Sequence, residues 1–536
     1  MQKTGQRDAR YDRQLRLWGD EGQNAIETTS VCVLGANPTA TEAIKALVLA
    51  GVSSVVIVDG DRVTERDLGT NFFFEPSQLG MNRAKAAAFL LQELNSAVTV
   101  RAFEADLSKI TGQEILSMGK FSVVVLTDMN EDRSVMIGDE LFGAGVPLIS
   151  CRAYGLIGYL RISVKEHHIF NSRKEDPRPD FRLDEVFGGL QQLYESIDFP
   201  SLTTEQFKHT PYIFLLMRAL ELFRESKSDR EAFPASFAER KKIVSLLDSI
   251  SPSDGLAEEN VDQAKAAVNR CMHKTTVPES VSKIFEHPGC SQNSTSTDPF
   301  WMMCSALKIF ADQHGHLPLS DSIPDMAASS ENYVRLVNAF RQQSEAEANV
   351  VLELAKGIQQ ARGCEDFIST ESCRKFCKNA HFLGLQTGTS LRHDIEDGWN
   401  AVIDELANGY CEEHEVPNVI WYVMLRAVDR FVSAKQRNPG TNGVPLSIDA
   451  TMLEECVTQI IDESTSGCAQ MAKKKVTRKV LDEAVRMGSC MLHTTSAVMG
   501  GITAQEVIKL ATNQYLPLDN TLVVDLHTQK SNFYRF

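Results

Sequence analysis

The sequence predicts an α/β fold in which an open, mostly parallel sheet is interrupted by a large, mainly helical insertion. Three observations carry that reading. Short apolar runs alternate with helical patterns through the first third of the chain, as in strands covered by helices on both faces. Helical periodicity then dominates from about residue 170 to 485. The last stretch returns to a helix followed by an alternating strand, so both ends of the chain are expected in one domain.

Taken in order, "SVCVLG" (30–35) reads as a buried strand, and 38–50 as a helix ending near Gly51. "SVVIVDGD" (54–61) is a second strand and "NRAKAAAFLLQELN" (82–95) a second helix. "VTVRAFEA" (98–105), "SVVVLTD" (122–128) and "PLIS" (147–150) supply three more strands, and "AYGLIGYLRISVKEH" (153–167) an antiparallel hairpin. Near the end, a Gly-Gly pair (500–501) opens a strong helix, and "TLVVDL" (521–526) is a strand. The expected domains are therefore 1–168 plus 485–536 for the sheet, and 169–484 for the insertion. Loop-like breaks at "SRKEDPRPD" (172–180) and "CSQNSTSTDP" (290–299) divide the insertion. It also contains three mutually similar aromatic amphipathic helices, at 211–226, 298–313 and 418–434, which read as core helices of a layered helical domain.

At 536 residues the chain has room for two or three compact units. No apolar run reaches membrane-spanning length, and "MQKTGQRDARYDRQ" has no apolar core for a secretory signal. The twelve cysteines follow no framework spacing, which suits a reducing compartment. A cytoplasmic protein is expected, and a nuclear one too if "KKKVTRK" (473–479) is a localisation signal rather than a solvated helix face. The sequon at Asn293 has no meaning without secretion. A net charge of −16 disfavours nucleic acid and leaves a protein partner with basic patches as the better match.

The chemistry concentrates in "VCVLGANPTATE" (31–42). A phosphate loop sets bare backbone N–H groups at a helix N-terminus, and glycines give the close approach. Here Asn37, Pro38 and Ala40 occupy the places that need glycine, and Pro38 has no N–H to donate. The same residues make a good helix start, Asn as N-cap and Pro in the first turn.

In this register the chain resembles the adenylating enzymes that activate ubiquitin-like proteins, which carry Gly-x-Gly-Gly-x-Gly-x-Glu. Gly35 and Glu42 fall on the first and last positions. "RYDRQLRLWG" (10–19), "VDGDRV" (58–63) with Asp59 and Asp61, "GMNRA" (80–84) with Arg83 in place of a lysine, "PLISCRAYGLIGYLRI" (147–162) and "GGITAQEVIKL" (500–510) agree in order and spacing. Together with "TNFFF", "LQELNS", "MLRAVDRF" and the long insertion, these are similar to the regulatory, non-catalytic subunits of heterodimeric neddylation activating enzymes, the amyloid-precursor-binding protein family. The resemblance implies a degenerate, Rossmann-like adenylation domain of the ThiF/MoeB type. It also implies an obligate catalytic partner that binds MgATP and carries the thioester cysteine, a NEDD-type modifier and a conjugating enzyme as further partners, and no cofactor or metal in this chain.

The departures support an emptied site. Adenylation needs cations on the phosphates and an acid for magnesium. The Arg-Gln pair of active halves is replaced by aromatics in "LGTNFFFEP" (68–76), which read either as interface or as local core. Asp128 stands where active halves hold magnesium; alternatively it ends a strand and caps the next helix. Arg13, from the Tyr-x-Arg-Gln segment, is implied to reach the partner's ATP phosphates, as a permanent bidentate cation suits; the alternative is an interface salt bridge. Cys373 and Cys377, four apart among basic residues in "ESCRKFCKNA", read as thiolate candidates or as core residues, and the family places the transfer cysteine on the other subunit.

Two rivals make different demands. A dinucleotide-dependent oxidoreductase would need Gly35 at the pyrophosphate and Asp59 on the ribose. The regulatory subunit for SUMO activation is much shorter than this chain.

Overall fold

A computed structural model describes residues 2–170, 179–250, 258–291, 293–364, 368–409, 416–488 and 490–536. Residues 172–178 and 292, within the two expected loop breaks, lie outside the described residues. The chain forms two compact units, Met1–His167 with Leu385–Phe536, and His168–Gly384.

The first unit starts with the helical segment α1 (Gln2–Thr28), broken at Tyr11 and at Gly19. Strands and helices then alternate: β1 (Ser30–Leu34), α2 (Pro38–Ala50), β2 (Ser54–Val58), α3 (Glu65–Thr70), α4 (Arg83–Leu94), β3 (Thr99–Phe103), α5 (Gly112–Met118), β4 (Val123–Thr127), α6 (Glu131–Gly143), β5 (Leu148–Tyr154) and β6 (Ile157–Ser163). The short strands β7 (Glu166–Ile169) and β8 (Gly384–Thr387) mark where the chain leaves and re-enters this unit.

The second unit is helical: α7 (Gly188–Glu195), α8 (Thr204–Lys208), α9 (Tyr212–Lys227), α10 (Phe237–Ile250), α11 (Glu259–Cys271), α12 (Glu279–Phe285), α13 (Pro299–His314), α14 (Ser330–Ala361) and α15 (Thr370–Lys378). Its core gathers Phe181, Phe214, Leu216, Phe223 and Phe340.

Back in the first unit, α16 (Leu391–Ile395), α17 (Trp399–Asn408), α18 (Val419–Lys435), α19 (Leu446–Asp462), α20 (Ala469–Lys475) and α21 (Arg478–Met487) lead to α22 (His493–Thr512), β9 (Thr521–Asp525) and β10 (Lys530–Tyr534). The sheet has eight strands in the order β10-β9-β6-β5-β4-β1-β2-β3. The five from β5 to β3 are parallel, while β6, β9 and β10 add antiparallel to one edge. Alternation along β1 sends Val31 and Val33 into the core under α2 and α22, and Cys32 and Leu34 into the core under α5 and α6.

Two sequence expectations change. The texture suggested one helical block over 169–484, yet 385–484 belongs with the sheet. Its helices share a core with Ile157 and Tyr159 of β6 and Val523 of β9. An amphipathic pattern marks a helix's buried face and says nothing about which surface covers it. Of the three similar aromatic helices, α9 and α13 consequently lie in the second unit and α18 in the first.

The Gly-Gly pair does not open its helix but lies mid-way along α22. A Cβ on Gly500 would come within 2.7 Å of the Glu42 Cβ and 2.8 Å of the Ala43 nitrogen of α2. Small residues here let two helices touch backbone to backbone.

Candidate functional site

The site expected from the sequence lies where β1 turns into α2. Gly35 takes φ +104°, and a side chain there would meet the Thr127 hydroxyl at 2.5 Å. Asn37 then caps α2: its Oδ1 accepts from the Ala40 N–H at 2.9 Å, and Pro38 takes the first turn. The Asn37 amide donates to the Thr127 Oγ1 at 2.9 Å, and Thr127 in turn donates to the Leu34 carbonyl. The Ala36 N–H donates to Asp59 Oδ2 at 2.8 Å, and the Ala36 carbonyl accepts from Asn71. Every residue from 35 to 44 is buried. The N–H groups of Ala36 and Ala40, which an anion would have used, are therefore committed to the protein's own side chains.

The ribose and phosphate positions are closed in the same way. Asp59 is fully buried and accepts from the Ala36 N–H, the Asp61 N–H and the Arg83 guanidinium. Arg83, at the lysine position, lies 2.8 Å from Asp59, 2.9 Å from Asp61 and 3.4 Å from Asp67. Three carboxylates around one guanidinium leave the cluster with excess negative charge, an unfavourable neighbour for a triphosphate. The oxidoreductase alternative is disfavoured here too, because Asp59 is 0% exposed and already holds Arg83 and two backbone N–H groups.

Asp128 sits at the end of β4 with φ +51°. The sequence suggested that it caps the next helix, but Asn130 does so, accepting from the Arg133 N–H at 3.1 Å. Asp128 Oδ1 accepts instead from the Ala153 N–H of β5 at 2.7 Å, and Oδ2 is covered without a hydrogen-bond partner. Burial pushes this carboxyl up to about 6, against the opposing effects of the Ala153 bond and Arg152.

Beyond Asp128 runs a seam of ion pairs that the sequence did not reveal. Arg152 clasps Asp429 with two bonds of 2.6 and 2.8 Å. Asp429 also accepts from the Glu131 N–H at 2.9 Å, and Glu131 pairs with Arg426, whose guanidinium lies 3.9 Å from the Trp399 ring centre. Arg161 and Asp394, both buried, pair at 2.6 Å. Each pair joins residues more than 200 positions apart, so no local motif announces it.

Arg13 lies between the two breaks of α1 and is exposed. Nearby Tyr11 packs on Gly51, at the C-terminal end of α2. The closed loop is at the other end of this 13-residue helix, about 20 Å away. Of the "NFFF" aromatics, Phe72 is 78% exposed, with its ring 4.0 Å from that of His493, while Phe73 is half-buried and Phe74 buried. Cys373 and Cys377 are buried at 0% and 1% exposure on α15, which is the core reading; the bond between the two thiols, joined by burial, pushes the Cys377 thiol well up, and the same bond lowers that of Cys373. The basic run 473–479 spans the end of α20 and the start of α21, with Lys473 paired to Asp462 at 2.5 Å.

A mixed sheet with helices on both faces and a strand–turn–helix loop bonded by its own side chains defines a ThiF-type adenylation fold with a degenerate loop, and the ThiF family model matches residues 11–535. The NEDD8-activating enzyme E1 regulatory subunit of Caenorhabditis elegans is 42% identical over 538 residues, covering 98% of both chains. That of Danio rerio is 34% identical over 533 residues, again 98% of both. The subunit named AXL from Arabidopsis thaliana is 32% identical over 525 residues, 97% of this chain and 98% of its own. The chain belongs to the family of NEDD8-activating enzyme E1 regulatory subunits.

Proposed function

We propose that the chain is the non-catalytic half of a heterodimeric activating enzyme for a NEDD8-type modifier. The observation that carries this reading is the loop at 35–42, where the Ala36 and Ala40 N–H groups are taken by the protein's own side chains, in a chain whose relatives are regulatory subunits. The catalytic partner binds MgATP, joins the modifier's C-terminal carboxylate to the α-phosphate with loss of pyrophosphate, and forms the thioester. This chain supplies the matching half, needs no cofactor of its own, and presents helical surface to the modifier and the conjugating enzyme. No helix among the described residues is long and apolar enough to cross a membrane; action in the cytoplasm, extending to the nucleus, goes with this reading.

Arg13 is the residue through which the chain acts on the chemistry. It stands too far from its own closed loop to serve it, and it is exposed. Reaching the partner's ATP phosphates, it stabilises charge that develops as pyrophosphate leaves. The test is to purify the chain with its catalytic partner and assay modifier-dependent pyrophosphate exchange. Arg13→Ala is expected to slow exchange by about 10²-fold or more, as removal of a transition-state donor does, while the two chains still co-purify. Unchanged exchange removes the role of Arg13. Failure of the chain to co-purify with the catalytic subunit removes the whole reading.

A further inference from the structure

In the second unit, the chain leaving α12 folds a short 3-10 turn, Pro288–Cys290, against one face of α13. Three contacts pin it there. The Phe285 carbonyl accepts from Lys308 Nζ at 3.0 Å, and the His287 ring stacks on Trp301 with centres 4.2 Å apart. A Cβ on Gly289 would come within 2.4 Å of the Trp301 ring. Trp301, Cys304 and Lys308 recur at helical spacing, so they share the face that receives the turn. Cys290 is laid on that face, and its thiol is hydrogen-bonded to the thiol of Cys304. Both cysteines are free, and they are buried at 3% and 0% exposure.

The two sulfurs sit in unequal surroundings. Lys308 and Arg362 both act on the Cys290 thiol. Arg362 is held in place by the Ser296 carbonyl at 2.8 Å and the Ser305 Oγ at 3.3 Å. The bond from Cys304 lowers the Cys290 thiol against the effect of burial, and the two cations add to it. Burial, and then the same bond, push Cys304 well up. Cys290 is thus the readier thiolate, and Cys304 keeps its proton. Cys290 is also next in sequence to exposed Ser291, so a small oxidant has a short way in. Cys373 and Cys377 share a thiol–thiol bond as well, but they lie four apart on α15. Cβ atoms at that spacing stand about 5–6 Å apart, beyond the roughly 3.5–4.5 Å that a disulfide takes. Cys290 and Cys304 come from separate elements and carry no such restraint.

We propose that Cys290 and Cys304 are a peroxide-oxidised pair, whose disulfide staples the 288–290 turn to α13. The Cys290 thiolate attacks a hydroperoxide oxygen and breaks the O–O bond, giving a sulfenic acid and, from hydrogen peroxide, hydroxide that takes up a proton to become water. The Cys304 sulfur then attacks the sulfenic sulfur, and its proton leaves with the displaced oxygen as a second water. Two thiols are oxidised by two electrons, and one peroxide is reduced to two waters. Nothing in this inference depends on the heterodimer reading.

The test uses the full chain, treated with hydrogen peroxide, unfolded in an alkylating agent, digested and weighed by mass spectrometry. A peptide pair linked through Cys290 and Cys304, two hydrogens lighter than its parts, is expected, and dithiothreitol should abolish it. Cys373 and Cys377 should remain alkylated. In Cys304→Ala the linked pair should be lost, and dimedone, which traps sulfenic acids, should label Cys290 instead. Full alkylation of both thiols after peroxide overturns the proposal. So does a disulfide joining either cysteine to another partner, a Cys373–Cys377 link formed ahead of this one, or a Cys304→Ala variant that gives no dimedone adduct at Cys290. The wild-type readout stands without the variant, so a poorly folding Cys304→Ala leaves the test intact.

Discussion

Asn37 does at the residue scale what three glycines would have prevented. Its side chain caps α2 and bonds to Thr127. This much was legible in the sequence, because capping chemistry is local. Asp128 was not: the sequence offered a helix cap, and only the meeting of β4 with β5 brought it to the Ala153 N–H. Its carboxyl is held at about 6, above the ordinary value of about 4. The folded state keeps that proton between about pH 4 and 6, where the unfolded chain has released it. The contribution is therefore favourable at the acid end and is lost as pH rises through that window. Asp128→Asn keeps the Oδ1 acceptor and removes the charge. It is expected to raise stability above pH 6 by about 2 kcal/mol and to flatten the slope between pH 4 and 6, read by urea unfolding across that range. An unchanged slope would mean that the carboxyl is not perturbed.

At the scale of elements, strands and helices followed from apolar period. β1, α2, β2, α4 and β9 begin or end within a few residues of the sequence reading. The start of α22 did not. "HTTSAVM" is a poor helix former, rich in Thr and Ser, and the sequence reading began the helix only at the glycines. Tertiary contacts make it helical: Thr495 donates to the Gly155 carbonyl at 2.6 Å, and the Ser496 and Thr39 hydroxyls meet at 3.2 Å across α2 and α22. The contact between these helices rests on Gly500, so Gly500→Ala must push against backbone atoms of α2. Overpacking of this kind costs about 1–3 kcal/mol, and the thermal midpoint should fall accordingly. Gly501, with nothing within 4 Å of an added Cβ, is the control: Gly501→Ala should hold or raise the midpoint. Equal effects at the two positions would argue against the close approach.

For the whole molecule, the charged seam decides how the returning helices sit on the sheet. Arg152 and Asp429 form a bidentate pair across 277 residues, and each is only 15% and 12% exposed at the side chain. Removing one partner strands a buried charge: Asp429→Ala is expected to cost about 3–5 kcal/mol, whereas Arg152→Met with Asp429→Leu should recover most of it. Chemical unfolding of the two single variants and the double variant checks this, and losses that simply add in the double variant would show that the pair is not a coupled unit. The sequence by itself determined the strands and helices of the α/β scaffold, the degenerate loop and the family to which the chain belongs. All three follow from periodicity and from motifs read within a few residues. Only the tertiary structure decided that 385–484 packs with the sheet, that Arg83 is spent on Asp59, Asp61 and Asp67, and that Asp128 lies beside a buried run of ion pairs. Those outcomes depend on which surfaces and charges meet across long stretches of chain, and packing and desolvation choose such partners where local pattern cannot.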